Sequence, residues 1–510
     1  MSVQFVKDTI FGGTPVRAVP QQAAVEAEIT LPGGLRDEVR ILYADASVVP
    51  QQCEAAGGRA TVSGKVDFHV LYAQGDLTRV KAAEVSRDFS RALTVNGYQD
   101  GAGYTPSCEI NGVTARVFNG RVLLQADMNV YAEGMLPQEV QAITDVQESD
   151  AQMLHKEIRT QQVVGEGSAQ ELIRGEFEVS DALQATDALL SKAEARVEDI
   201  IGGADGRATV TGTIDLAVCY ASATPGRPVV CSQHSFPFEQ SVTLSGEMGD
   251  MLSATATVLD TAAALEGDEQ GKILRAEVEL SVQMQSIREN TASLVTDVFL
   301  TGNSDVQCEG ETASFCTEII NEQTAESARW QMLLPEQSPR IKQVLCAFAQ
   351  PVLAGAREQN GKMNVDLMMR STLLYMTEDS GIPLSFTTEE PLRMTFSGEA
   401  QAEDQLSLTT SHVEASMIAG DRAEIRCVVT LHAGGARFEQ AHTIRHLEKI
   451  DQTAQPTLAL YITQPQDRLW DVMKHYHLSE KALKQMNEQA AEYAADAPLP
   501  ASMRLIAYRR

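Results

Sequence analysis

Aromatic side chains are scarce in this chain, at 5% of its 510 residues and with two tryptophans. A broad carbohydrate-stacking surface is therefore not expected. Basic residues are also in short supply: 41 lysines and arginines stand against 70 acidic side chains, a formal net charge of -29. Nucleic acid and anionic membranes both require a basic footprint, so neither is expected as a main partner. The acidic groups are spread rather than blocked, which favours solubility and mutual repulsion. No run of ~18 apolar residues occurs, so no transmembrane segment is expected.

Met1 to Gly12 contains one lysine, no continuous apolar stretch and no cleavage-site pattern, so no export signal is expected. The eight cysteines (Cys53, Cys108, Cys219, Cys231, Cys308, Cys316, Cys346 and Cys427) form no C-x-x-C. In an unexported chain they are expected to be free and mostly buried, and the protein to be cytoplasmic.

Patterns that carry chemistry are missing too. Gly267 to Gly271-Lys272 places three residues between its glycines where a phosphate-binding loop needs four, and Ile273 follows instead of Ser or Thr. It reads as a hairpin turn. His442 and His446 are four apart but lack the intervening glutamate of a zinc-protease helix. No Gly-x-Ser-x-Gly is present. We assign no catalytic residue, metal ligand or cofactor, and read the chain as non-enzymatic.

What the chain does have is repetition. Gly58, Gly206 and Gly361 each open a run that ends on a tyrosine fourteen residues later, at Tyr72, Tyr220 and Tyr375. Pro32, Ser180 and Pro335 stand twenty-six residues before each glycine. The offsets, 148 and then 155 residues, are far longer than a solenoid period, so each copy should have its own core. Each run alternates with period two. Ala60, Val62, Val66, Phe68, Val70 and Tyr72 share one face in the first copy, and Ala208, Val210, Ile214, Leu216, Val218 and Tyr220 in the second. Such alternation predicts half-buried antiparallel strands. Gly64 and Gly212 fall on the inward face and predict close backbone approach or a bulge.

After Pro456 the period becomes 3.6. Leu469, Val472, Met473 and Tyr476 form a helical stripe with Asp467 placed to cap it, and Ser479 can cap a second helix bearing Ala482, Leu483 and Met486. Strands at Leu458–Thr463 and Met503–Ala507 complete a β-α-α-β order.

The expected fold is mainly β: three tandem antiparallel sandwich-like repeats and a small βααβ domain. The expected boundaries are 1–20 (N-terminal segment), 21–145 (first repeat), 146–170 (polar, partly helical connector), 171–300 (second repeat), 301–315 (polar linker), 316–450 (third repeat) and 457–508 (tail domain). Gln452–Pro456 separates the last two.

The tail resembles the LysM family, whose pattern reads Tyr-x-Val-x-x-Gly-Asp-Thr-Leu-Trp-x-Ile-Ala-x-x-Tyr. Here the matching residues are Tyr461, Asp467, Leu469, Trp470, Val472 and Tyr476, with Leu483 and Asn487 in and after the second helix. The resemblance implies a core of Tyr461, Leu469, Trp470, Val472, Tyr476 and Leu483. It implies a partner-binding surface on two loops: Pro465, Gln466, Asp467, Arg468 and Asn487, facing Pro500, Ala501 and Ser502. LysM domains typically bind N-acetylglucosamine polymers there. Gln466 and Ala501-Ser502 replace the usual loop glycines, so glycan affinity is expected to be weak or absent and a protein ligand is at least as well expected.

Three such repeats followed by one LysM resemble the SPOCS-repeat proteins of spore-forming clostridia, through the Gly-x-x-x-Val-x-Gly-x-x-x-x-x-x-x-Tyr cores of Gly58–Tyr72 with Phe89 and Gly206–Tyr220 with Phe238. The third copy lacks the middle glycine. This resemblance implies a spore-coat scaffold on the mother-cell side of the forespore. Its implied partners are the coat basement ATPase (stage IV sporulation protein A) and other coat proteins. A peptidoglycan-binding protein is the alternative.

Overall fold

The computed structural model describes residues 3–31, 38–95, 103–203, 205–268, 271–302, 304–377, 381–402, 404–451 and 457–509. Pro32 and Gln452–Pro456 lie outside the described residues. The chain is mainly β, in antiparallel sheets.

The first stretch runs β1 (Phe5–Arg17), β2 (Gln21–Thr30), β3 (Val39–Ala56), β4 (Arg59–Gln74), β5 (Val80–Thr94), β6 (Gly103–Phe118) and β7 (Arg121–Val146). One sheet is ordered β3-β4-β5. In the other, β7 lies between β2 and β6 and extends onward to pair with β1. The next stretch runs β8 (Ala151–Val179), β9 (Ala185–Gly202), β10 (Arg207–Ser222), β11 (Val229–Thr243), the two-residue β12 (Ser245–Gly246), β13 (Met251–Asp268) and β14 (Gly271–Leu300). Its sheets are β9-β10-β11 and β12-β8-β14-β13. The third runs β15 (Ser304–Leu333), β16 (Ile341–Gln359), β17 (Lys362–Thr377), β18 (Pro383–Ser397), β19 (Gln405–Ala419) and β20 (Arg422–Asp451), in sheets β16-β17-β18 and β15-β20-β19. All three units thus have one strand order, and in each the two sheets face a common apolar core.

Local chemistry explains the repeated glycines. Ala56 pairs with Arg59 and Gln359 with Lys362, so Gly57-Gly58 and Asn360-Gly361 form two-residue hairpin turns. All four turn residues have φ between +56° and +81°, a region that suits glycine and asparagine. The tyrosines that close β4, β10 and β17 are buried in their cores at 2%, 0% and 2% exposure. Gly64 and Gly212 lie under the rings of Phe89 and Phe238, where an added Cβ would come within 2.9 and 2.6 Å. In the third unit Leu367 faces Leu392 at the same register position, so two leucines fill the space of a glycine and a phenylalanine.

Three expected segments are corrected. Residues 146–170 are not a partly helical connector, since β8 starts at Ala151; 301–315 is not a loop, since β15 starts at Ser304. Residues 1–20 likewise contain β1. These segments pair with the far halves of β7, β14 and β20, giving each unit a base hairpin. The three hairpins pack together around shared apolar clusters, one containing Ile10, Val140, Ile158, Leu294, Phe315 and Ala441. A further shared cluster joins the β4, β10 and β17 sheets, through Leu71, Cys219 and Leu374 among others. The units have their own cores, but they are also fused through common ones.

Candidate functional site

The C-terminal module consists of β21 (Thr457–Ile462), α1 (Leu469–Tyr476), α2 (Glu480–Met486) and β22 (Arg504–Arg509). Its two strands pair antiparallel. Leu469, Val472, Met473 and Leu483 are buried at 1% exposure or less, because the helical stripe turns them toward the sheet. Tyr461 and Tyr476 are half-buried and meet edge to face at 6.2 Å.

The expected helix cap is corrected. Arg468, not Asp467, stands at the N-cap of α1, where its backbone N–H donates to the Asp471 carboxylate at 3.0 Å. The Asp467 carboxylate is occupied in the preceding turn, accepting from the Gln464 N–H at 2.8 Å and the Tyr461 hydroxyl at 2.6 Å. That hydrogen bond pushes the Tyr461 pKa up to about 12. The Asp471–Arg468 pair holds the Asp471 carboxyl below its usual range. Ser479 caps α2 by accepting from the Ala482 N–H at 3.3 Å.

Two turns meet at one end of the module. Gln464–Asp467 closes with a 3.2 Å backbone hydrogen bond, and Gln466 takes φ +77°. Ser502 takes φ +67° in the turn that follows Pro500. Buried Thr463 fastens the two. Its hydroxyl donates to the Pro500 carbonyl at 2.6 Å and accepts from the Met503 N–H at 2.8 Å, and its carbonyl accepts from the Ser502 N–H at 2.8 Å. Pro465, Gln466, Pro500, Ala501 and Ser502 are therefore adjacent and exposed, with Arg468 partly exposed beside them. Asn487 is a correction. At 5% exposure it cannot meet a partner, because its side chain donates to the Leu483 and Ile506 carbonyls and accepts from the Ile506 N–H. It ties α2 to β22.

Two features escaped the sequence reading. The first is an apolar outer face on the β21–β22 sheet, where Leu458, Leu460, Ile462, Ile506 and Tyr508 are 46–75% exposed. Leu458 sits opposite Tyr508 and Leu460 opposite Ile506. A signal was present: Leu458 to Ile462 is apolar at every position, so neither face of that strand is polar.

The second is the seat of the module on the second unit. Trp470 is buried at 2%, but its partners lie outside the module: it meets the Phe299 ring at 5.1 Å and donates its indole N–H to Asp297 at 2.8 Å. Lys474 pairs with the same carboxylate at 2.7 Å, and His477 Nδ1 lies 2.9 Å from the Leu300 carbonyl. A buried indole N–H usually finds an acceptor, and for Trp470 the second unit supplies it. Among the described residues, the group of side chains placed to hold a metal is Cys219, Cys231 and Cys346, in the shared cluster of the units.

Comparison with protein-family models, with curated proteins and with solved structures finds no match to this chain.

Proposed function

We propose that this chain is a noncatalytic scaffold for spore-coat assembly, built from three SPOCS-like repeats and a LysM-like module. In this reading it works on the mother-cell side of the forespore, and the module and repeats tether the coat basement ATPase there. The observation that carries the proposal is the exposed apolar face of Leu458, Leu460, Ile462, Ile506 and Tyr508. A patch of this kind beside polar turns is the usual mark of a protein interface. The adjoining turns at Pro465-Gln466 and Pro500–Ser502 would form its polar rim. Further contacts on the three units would add valency, raising the effective concentration of each later contact.

The glycan alternative is supported less. Gln466 and Ser502 keep the left-handed backbone that glycine adopts freely, but each adds a side chain where the LysM pattern has a bare glycine. The neighbouring strip is aliphatic except for Tyr508, which gives sugar rings little to stack on.

The test is co-purification of the full chain with the coat ATPase. Leu460→Glu should abolish capture while leaving the protein folded. Normal capture by this variant would remove the apolar face from the proposal. Calorimetry with chitin fragments should show no micromolar binding; heat of that size would favour the alternative.

A further inference from the structure

The shared cluster between the units contains three thiols. Cys219 on β10 and Cys231 on β11 are directly opposite in register, with sulfurs 2.7 Å apart. Cys346, from β16 of the third unit, brings its sulfur within 4.8 Å of both. Their surroundings are apolar: Leu71, Val229, Leu345, Leu374 and Met376. Cys219 and Cys346 are buried, and Cys231 is partly exposed.

Two chemistries suit three converging thiols, and magnitudes separate them. Two sulfurs bound to one zinc at ~2.3 Å stand about 3.8 Å apart. The 2.7 Å approach of Cys219 and Cys231 is closer to bonding than to coordination. Directly opposed residues on antiparallel strands have Cα atoms about 4.5–5.5 Å apart, inside the ~4.4–6.8 Å that a disulfide spans without backbone movement. A metal held by three thiolates would leave net negative charge in an apolar pocket, whereas a disulfide is neutral.

We infer that this hub is an oxidation-sensitive thiol relay that ends in a covalent link between the second and third units. The oxidant is a peroxide. The Cys219 thiolate displaces hydroxide from the peroxide to give a sulfenic acid. The Cys231 sulfur then attacks it, forming the S–S bond and releasing water; two electrons pass from sulfur to the peroxide, which leaves as two waters. Cys346 then exchanges into this bond, passing its proton to the sulfur that leaves, so that a new disulfide spans the units and one of the original thiols is freed. Contacts among the three sulfurs hold the Cys219 thiol below the ordinary range, while those contacts and burial raise Cys231 and Cys346.

The experiment is peptide mapping of the full-length protein after hydrogen peroxide treatment. Free thiols are alkylated and the chain is cut with chymotrypsin under non-reducing conditions, since cleavage after Tyr220 separates Cys219 from Cys231. The expected result is loss of two reactive thiols from the eight cysteines. Peptides containing Cys219 joined to Cys231, and Cys346 joined to either, should be recovered. Cys346→Ser should retain the first and lose the second. Three results would overturn the inference: all thiols still alkylate, the hub yields only Cys219–Cys231, or it retains a bound metal and resists oxidation.

Discussion

The three units and the C-terminal module bury their surfaces in different ways. Among the described residues, the unit cores contain 24, 21 and 23 buried apolar side chains, enough for each to be closed by its own two sheets. The module's cluster has eleven, and one of these, Phe299, belongs to the second unit. A segment of about fifty residues rarely supplies enough burial to stand alone and needs a staple. Here the staple is a protein surface: the Phe299 ring and the Asp297 carboxylate at the base hairpin of β14. The module is thus a dependent part with an exposed apolar face, whereas the units form a self-sufficient body.

The largest break in that contrast should come from Leu469→Asp. Leu469 is fully buried, and an unpaired carboxylate there costs several kcal/mol, comparable with the whole stability of so small a module. The module should unfold and capture of the ATPase should fail, while the units keep their strand signal in circular dichroism. The two tryptophans are convenient reporters, because Trp330 lies in the third unit and Trp470 in the module. With Trp330→Phe as background, Trp470 emission should shift to the red. Simultaneous loss of the strand signal would mean that module and units are one cooperative body. Normal capture with the module unfolded would move the docking surface onto the units.

Phe299→Ala tests dependence from the opposite side. It removes a fully buried ring at a cost of about 3–5 kcal/mol while leaving the module's own sequence intact. Trp470 should again become exposed in urea well before Trp330. If both report one midpoint equal to that of the wild type, Phe299 is not the staple.

Some of this was legible in the sequence and some was not, for physical reasons. The run from Arg59 to Tyr72 could be read because one face is core and the other meets water. Residues 151–163 could not, because β8 there packs against other hairpins rather than between core and solvent. Polar Thr160 and Gln161 are buried, at 1% and 7%, and Gln161 accepts from the Ile319 N–H at 2.8 Å. Alternation disappears when polar side chains point inward. In the tail, the Leu469–Tyr476 stripe was plain from spacing. Asp297 and Phe299 were invisible because they lie more than 170 residues from Trp470, and no local pattern encodes such a contact.

A smaller effect should sharpen the role of Asp297. Asp297→Ala leaves the Trp470 indole N–H and the Lys474 ammonium without their acceptor, at a cost of about 1.5–3 kcal/mol. Lys474→Met removes only the half-exposed ion pair, worth about 1 kcal/mol or less. In urea the module transition of the aspartate variant should move further than that of the lysine variant. Equal shifts would mean that the indole hydrogen bond contributes nothing.

The smallest change in stability should come from the face proposed for docking. Leu460 is 62% exposed on the outer face of β21, so Leu460→Glu removes little burial, and its effect on folding should stay within about 0.5 kcal/mol. The residue opposite it on β22 is the apolar Ile506. The two ends of the contrast therefore make opposite predictions for one module. Substitution of Leu469 should decide whether it folds, and substitution of Leu460 whether it captures a partner. Urea midpoints indistinguishable from the wild type, together with lost capture, would separate docking from folding. A large drop in the midpoint would instead show that the apolar face is already covered within the protein, and that the surface for the ATPase lies elsewhere.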